Sequence, residues 1–319
     1  MFTRKVIFVT LLILTLVYDI RLRMQCSTSH AESAQKFVSF NLNVGRMGNQ
    51  LFHLMTGYGI ARSLERVHYI PNSGPLEHVK QYLKEFDKIF PALRRSYVFQ
   101  PSSSIETTVQ FADSCCAYEN PRKRYMNHSA TYLRLNYSYG QNPRYFEDYL
   151  GEVRRLLKFS AATAKEGDYL IETLDEDLSC MMCIHIRRTD FVGRRVATNV
   201  NETMKAVKLI SNRTRASRFL IFGDDQGFMR NLSQLIISSR SRSKNATTVL
   251  VSNFTEVMDL YLSSRLCNSF LLTAVTSTFG WWLAFFVENQ DAVYYLSDTR
   301  VHGGKVPNRE LFLKPWKKV

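Results

Sequence analysis

Met181-Met182-Cys183-Ile184-His185-Ile186-Arg187-Arg188-Thr189-Asp190 decides how the chain is read. Its first half is a short apolar run of β-compatible residues, as in a strand buried on both faces. The run breaks abruptly into two arginines, a threonine and an aspartate. Adjacent guanidiniums are costly to bury without anions. In an α/β sheet the carboxyl end of a strand is also where ligands bind. Two readings stand open from this stretch alone. Either a bound diphosphate supplies the missing negative charge, or the strand leaves the core in a solvated basic turn.

Beyond this stretch the chain alternates. The pattern predicts helices over 203–210 and 255–266 and strands over 219–222, 247–251, 270–272 and 293–296. The strand at 219–222 ends in Gly223-Asp224-Asp225. A loop over 273–277 leads to an apolar helix opened by Thr278. Alternating strands and helices mean a parallel sheet of Rossmann type. All its carboxyl ends lie on one edge, so Arg187, Arg188 and Asp190, Asp224 and Asp225, and Thr276, Ser277 and Thr278 converge there. Arginines hold a diphosphate, a Ser/Thr loop adds donors, and a carboxylate reads a base or ribose. That is the anatomy of a nucleotide-sugar site.

Upstream, Val38, Phe40, Leu42 and Val44 alternate in a predicted strand over 37–44. Gly45-Arg46-Met47-Gly48-Asn49-Gln50 follows, then Leu51, Leu54, Met55, Tyr58 and Ala61 at helical spacing. A strand over 67–70 is stopped by Pro71. The glycines therefore sit in a strand-to-helix turn, which lets backbone N–H groups approach a ligand. Their spacing is not the dinucleotide fingerprint, and most such turns simply turn. Residues 80–90 suit a helix, and 102–113 are irregular with room for a strand. The segment Tyr139 to Phe146 leads into a helix ending near Lys158; its aromatics, Gln141 and Asn142 fit either a sugar platform or packing under a loop. Residues 166–177 read as an acidic connector and carry the domain boundary. Asp175-Glu176-Asp177 is a literal D-x-D, a pattern able to hold a metal-bound nucleotide sugar. It precedes a strand in a charged connector, which favours a solvated linker.

The chain has 319 residues and a net charge of +14, so an affinity for anions is expected. Its cations are scattered, without a long Lys/Arg block, which argues against a nucleic-acid arm. Arg4 and Lys5 precede an uncharged apolar run to Tyr18. The expectation is a cytosolic tail at 1–5, an uncleaved transmembrane signal anchor at 6–20 and a stem at 21–35; a cleaved signal peptide is the alternative. Residues 36–175 and 176–319 are then the amino- and carboxyl-terminal domains, the bulk of the chain lumenal. Asn-x-Ser/Thr sequons agree: Asn127, Asn136, Asn201, Asn212, Asn231 and Asn245 are glycosylation candidates. Asn253 is also in a sequon but resembles, with Glu256, a helix-capping pair. Six cysteines suit an oxidising lumen. Adjacent Cys115 and Cys116 are expected to bond elsewhere. Cys180-x-x-Cys183 lacks the second pair that a zinc site needs.

Together these residues resemble a known family. His185-Ile-Arg-Arg-Thr-Asp190 is similar to the H-x-R-R-x-D motif of α1,2-, α1,6- and protein O-fucosyltransferases. Gly45 to Phe52 resembles the G-R-L-G-N-Q motif of the α1,2-fucosyltransferases of glycosyltransferase family 11. Phe222-Gly-Asp-Asp225 and Ser277-Thr-Phe-Gly-Trp-Trp282 resemble their F-S-D-D and S-T-F-S/G-W-W segments, and Tyr139 to Phe146 is similar to an aromatic stretch of theirs. Gly223 departs from the serine frequent there. The resemblance implies a GT-B-like α/β fold with two Rossmann-type domains facing a cleft. It implies a single-pass type II protein of the Golgi membrane. It also implies inverting transfer of L-fucose from GDP-fucose, with no metal or other cofactor required, to a glycan of a glycoprotein or glycolipid, at the 2-position of a terminal galactose. Another fucosyl linkage, protein O-fucosylation, or a non-catalytic lumenal carbohydrate-binding protein are the alternatives. By motif, Arg187 and Arg188 would bind the diphosphate, with His185 and Asp190 shaping that loop. Asp224 and Asp225 would sit near ribose or guanine, and Ser277 and Thr278 would donate to phosphate. Gly45, Arg46 and Asn49 would face the transferred sugar, Arg46 and Asn49 joining the arginine pair as catalytic residues. No motif singles out a base.

Overall fold

The computed structural model describes residues 35–174, 178, 180–241 and 246–319. The expected tail, anchor and stem up to residue 34, the D-x-D at 175–177 and the sequon at Asn245 lie outside the described residues. Among the described residues, no helix is long and apolar enough to cross a membrane.

Lys36–Val319 form one unit built on two wholly parallel sheets. The first holds β1 Phe37–Asn41, β2 Val67–Ile70, β3 Val98–Phe99, β4 Glu106–Gln110 and β5 Tyr132–Ser138 in the order β3-β2-β1-β5-β4. The second holds β6 Met181–Ile186, β7 Arg218–Gly223, β8 Thr248–Val251, β9 Cys267–Leu272, β10 Val293–Tyr295 and β11 Lys317–Lys318 in the order β11-β10-β9-β6-β7-β8. Its order reverses between β6 and β9, the switch point at which doubly wound sheets bind ligands. In chain order the helices are α1 Met47–Ser63, α2 Leu76–Ile89, α3 Pro121–Tyr125, α4 Leu150–Leu156, α5 Ala161–Thr173, α6 Thr189–Gly193, α7 Val200–Thr214, α8 Gln226–Ser239, α9 Glu256–Leu266 and α10 Thr278–Phe286.

All of β6 is buried, as its apolar run requires. β1 is shorter than predicted, and Ser39 is buried along with Val38 and Phe40. As a central parallel strand it has no solvent face to reward alternation. α1 likewise begins earlier than its apolar stripe and is buried nearly all round. It is packed against α10 of the second half.

The expected connector at 166–177 is instead largely helix α5, capped by Ser160, whose hydroxyl accepts from Thr163 N. Only Thr163 and Gly167 of α5 are buried, so no apolar stripe announces it. Tyr261 of α9 fills the space over Gly167 and donates to Asp168 at 2.7 Å. Helix α5 thus packs on α9 of the second half. Phe52 lies with its ring centre 4.9 Å from Trp281 and 5.1 Å from Trp282, and Phe146 stacks on Trp282. Rings from both halves thus share one core.

Two further expectations are corrected. Cys115 and Cys116, adjacent in the chain, are bonded to each other, and Cys183 and Cys267 pair across neighbouring strands β6 and β9. That bond also removes Cys183 from any C-x-x-C ligand pair, leaving Cys180 free and exposed. The cap of α9 is Thr255, which accepts from Met258 N, and not Asn253. A Thr hydroxyl three residues before the helical N–H reaches it directly. Asn127, Asn136, Asn201, Asn212, Asn231 and Asn253 are all exposed, although the Asn136 amide is engaged with Gln110 at 3.1 Å.

Candidate active site

The adjacent strands β9, β6 and β7 end side by side, which brings their loops onto one edge. Two threonines stitch the central pair at the switch point. Thr273 Oγ1 donates to His185 O at 2.5 Å and lies 2.8 Å from Thr198 Oγ1, which accepts from Arg187 N at 3.1 Å. Gly223, at the end of β7, has no room for a side chain: a Cβ there would lie 2.5 Å from Ile186 O.

Arg187 is buried, and its charge is already met within the chain. Its guanidinium lies 2.5 Å from Asp190 Oδ1 and 3.0 Å from Asp224 Oδ2. Asp224 also accepts from Arg188 N at 2.8 Å and from the Thr189 hydroxyl. Arg188 meets Asp225 Oδ2 at 3.2 Å, donates to Thr198 O at 2.9 Å and lies over the Phe228 ring. Asp225 Oδ1 caps α8 by accepting from Phe228 N. The two aspartates after β7 thus aim the arginine pair, which explains how adjacent guanidiniums are tolerated there. Partial burial opposes ionisation of Asp190, but its Arg187 partner holds its carboxyl below the usual range.

In front of Arg187 lies a cavity of about 370 Å³ lined from both halves. Gly45, Arg46, Asn49, Arg187, Asp190, Ser277 and Thr278, all singled out in the sequence, line it. The helix starts of α1 and α10 meet at its floor. Gly48 makes this possible, since a Cβ would lie 2.7 Å from Phe279 N, and Trp282 Nε1 donates to Gly48 O at 3.0 Å. Two helix N-termini on one cavity favour an anion. The turn before α1 is held by Gln50, whose amide donates to Gly45 O and Asn43 O at 2.8 and 3.0 Å. Ser277 caps α10 by accepting from Gly280 N at 3.2 Å, which leaves its hydroxyl hydrogen to donate.

His185, Arg188, Asp224 and Asp225 are not among the lining residues. His185 lies fully buried beneath the first turn of α10, where a Cβ on Gly280 would touch its ring. Burial lowers its pKa to about 4, against a small opposing pull from Asp224. It is a neutral packing residue at ordinary pH.

The aromatic turn divides. Tyr139 and Gln141 line the cavity, whereas Tyr145 and Phe146 enter the core. Four charged or titratable lining residues were not read from the sequence as site residues: Arg194, Glu256, His302 and Lys305. Burial pushes the Glu256 carboxyl up, with the Arg187 charge pulling it back. Lys305 follows Gly303 and Gly304, both at positive φ, in a turn closed by mutual His302–Lys305 backbone bonds. That Gly-Gly turn was the signal available in the sequence.

The sequence profile of glycosyl transferase family 11 matches residues 6–319. The chain belongs to glycosyl transferase family 11. It is therefore a glycosyltransferase. A Caenorhabditis elegans protein provisionally named a glycosyltransferase, C06E1.7, is 29% identical over 301 residues, spanning 89% of this chain and 80% of its own length. A galactoside 2-alpha-L-fucosyltransferase of the same organism is 26% identical over 295 residues, spanning 85% and 73% respectively. Among solved structures, one of POFUT1 in complex with GDP aligns at a TM-score of 0.49 and 11% identity, covering 82% of this chain and 98% of that one. The two parallel sheets and their strand orders define the fold of this family 11 member independently of that likeness.

Proposed function

We propose that this chain transfers L-fucose from GDP-fucose to the 2-position of a terminal galactose, with inversion at the fucosyl carbon. Arg187 carries the reading: it stands at the switch point of the second sheet, on the wall of a cavity bordered by two helix N-termini. Relatives named galactoside 2-alpha-L-fucosyltransferases support the choice of donor and linkage.

In this mechanism the bond from the fucosyl carbon to the diphosphate oxygen breaks with its electron pair leaving on GDP. The acceptor hydroxyl oxygen forms the new bond on the opposite face and loses its proton. Charge grows on the diphosphate as the sugar becomes oxocarbenium-like. Arg187, aimed by Asp190 and Asp224, meets that charge together with the starts of α1 and α10. Preorganised donors of this kind contribute several kcal/mol to such steps. Arg188 supports the loop through Asp225 and Thr198. Arg46 and Asn49 face the sugar from the first half. Because guanidiniums meet the charge, transfer is expected to persist in excess EDTA; strict dependence on manganese would revive a role for the acids at 175–177. The chain is expected to act in the Golgi lumen as a type II membrane protein, tested by protease protection of the full chain in sealed vesicles.

The deciding experiment incubates the full-length chain with GDP-fucose and an acceptor array, then determines product linkage. Fucose on the 2-position of galactose is expected. Transfer to another position, or GDP-fucose binding without turnover on any acceptor, overturns the assignment.

A further inference from the structure

Lys305 is a buried cation with no counter-ion among the described residues. Its side chain lines the cavity, yet the residue is only 3% exposed. Its two hydrogen-bond acceptors are neutral and distant: Thr276 O at 3.3 Å and Gln141 Oε1 at 3.4 Å. Among the described residues, no carboxylate lies within ion-pair reach of it, whereas Arg187 already has Asp190 and Asp224, and Arg46 reaches Asp190 at 3.8 Å. Arg194, the other lining cation without an acid partner, is exposed and meets His302 Nε2 at 2.6 Å. A buried ammonium of this kind is unstable as a structural element. It is stable as a binding element whose anion arrives with the ligand.

We propose that Lys305 binds the diphosphate of the sugar-nucleotide donor and holds the charge of the leaving nucleotide. The proposal rests on the donor chemistry above and assigns a residue to it from outside every motif. Thr276, whose carbonyl receives the ammonium, directly precedes the Ser277 cap, so Lys305 stands beside the start of α10. It also organises the first half. The Lys305 ammonium donates to Gln141 Oε1, and Gln141 Nε2 donates to Asn49 Oδ1. That relay leaves the Asn49 amide N–H groups as free donors. Burial lowers the Lys305 pKa to about 7. An entering dianion restores the proton.

Calorimetry on the full-length chain tests this with GDP and guanosine as probes. Lys305→Met is expected to weaken GDP binding by about 10- to 100-fold, the range for a lost charge-assisted bond. Guanosine binding should stay within about twofold of wild type, and Lys305→Arg should recover part of the GDP affinity. If Lys305→Met binds GDP as wild type does, or loses GDP and guanosine equally, the proposal falls while the donor reading stands. If the wild-type chain binds no GDP, the donor reading itself falls, and this proposal with it.

Should Lys305→Met not fold, a chain that keeps Lys305 still decides. Arg46, Arg187, Arg194, His302, Asp190 and Glu256 line the same cavity as Lys305. The measurement is made at about pH 8 with the competing imidazole of His302 removed. GDP binding to His302→Gln in buffers of different protonation enthalpy should then take up close to one proton. No uptake overturns the assignment.

Discussion

Arg187 shows how one residue is specified by several others. Asp190 Oδ1 and Asp224 Oδ2 hold two of its guanidinium nitrogens, and Thr198 holds its backbone N–H. Arg187→Ala removes the main cationic partner of both carboxylates, leaving Asp190 the more distant Arg46 and Asp224 only its bonds from Arg188 N and Thr189. We expect a loss of about 3 kcal/mol in stability, read from the urea midpoint, and near-complete loss of transfer. Arg187→Lys keeps the charge but not the two-pronged geometry. It should retain most of the stability and still lose at least about tenfold in kcat/KM. Equal turnover in Arg187→Lys and wild type would show that the fork itself is dispensable. In the sequence the two arginines asked for an anion. Three aspartates from two loops provide it, and the sequence could not reveal this because residues 187 and 224 meet only through parallel pairing of β6 with β7.

At the scale of elements, the contact between the starts of α1 and α10 joins the halves at the cavity. It depends on the absence of a side chain at Gly48, whose Cβ would press on backbone atoms of Thr278 and Phe279. Gly48→Ala is expected to cost about 1–3 kcal/mol by overpacking. It should also raise KM for the donor by moving both helix ends; steady-state kinetics beside a thermal melt separate the two effects. An unchanged KM in a folded variant would place the donor away from that junction. The tie between β6 and β9 is covalent as well. Breaking Cys183–Cys267 by Cys267→Ala should lower stability by about 2–4 kcal/mol. Reductant should then lower the melting temperature of the wild type by more than that of the variant, which keeps only Cys115–Cys116 among the described disulfides.

For the whole molecule, pH acts through buried imidazoles. His53 is held at about 3 and His185 at about 4 by burial, and His68 is lowered too, by burial and then by His53. Between pH 6.5 and 4 the unfolded chain takes up protons that the folded chain refuses, so stability falls as pH falls. Asp259, raised by burial to about 7, works the other way: the folded chain keeps a proton there that the unfolded chain loses as pH rises through that window. Glu256, also raised by burial, acts in the same sense as Asp259, but the three fully buried histidines outweigh these carboxyls. The urea midpoint should drop between pH 6.5 and 4.5, and His53→Leu should flatten the slope. A midpoint rising toward pH 4.5 would mean that the carboxyl dominates. The boundary placed near residue 175 belongs to this scale as well. Phe52, Phe146, Trp281 and Trp282 interlock across the halves, so the chain should melt in one transition by calorimetry and not in two.

The amino-acid sequence by itself determined the parallel α/β class, the central strand, most helices of the second half and the seven predicted residues that line the cavity. Those features are local: apolar periodicity, glycine turns and polar groups at strand ends are written in neighbouring residues. Only the tertiary structure decided that Asp224 and Asp225 serve the arginines, that His185 is packing, that Cys183 pairs with Cys267, and that Lys305 reaches the cavity. Each of these depends on which strands and loops lie side by side. The arginines at the end of Met181–Ile186 were legible because a charge after a buried strand stands out in one dimension. Lys305, more than a hundred residues on, acquires its meaning only when the fold removes water from it and leaves no acid beside it among the described residues.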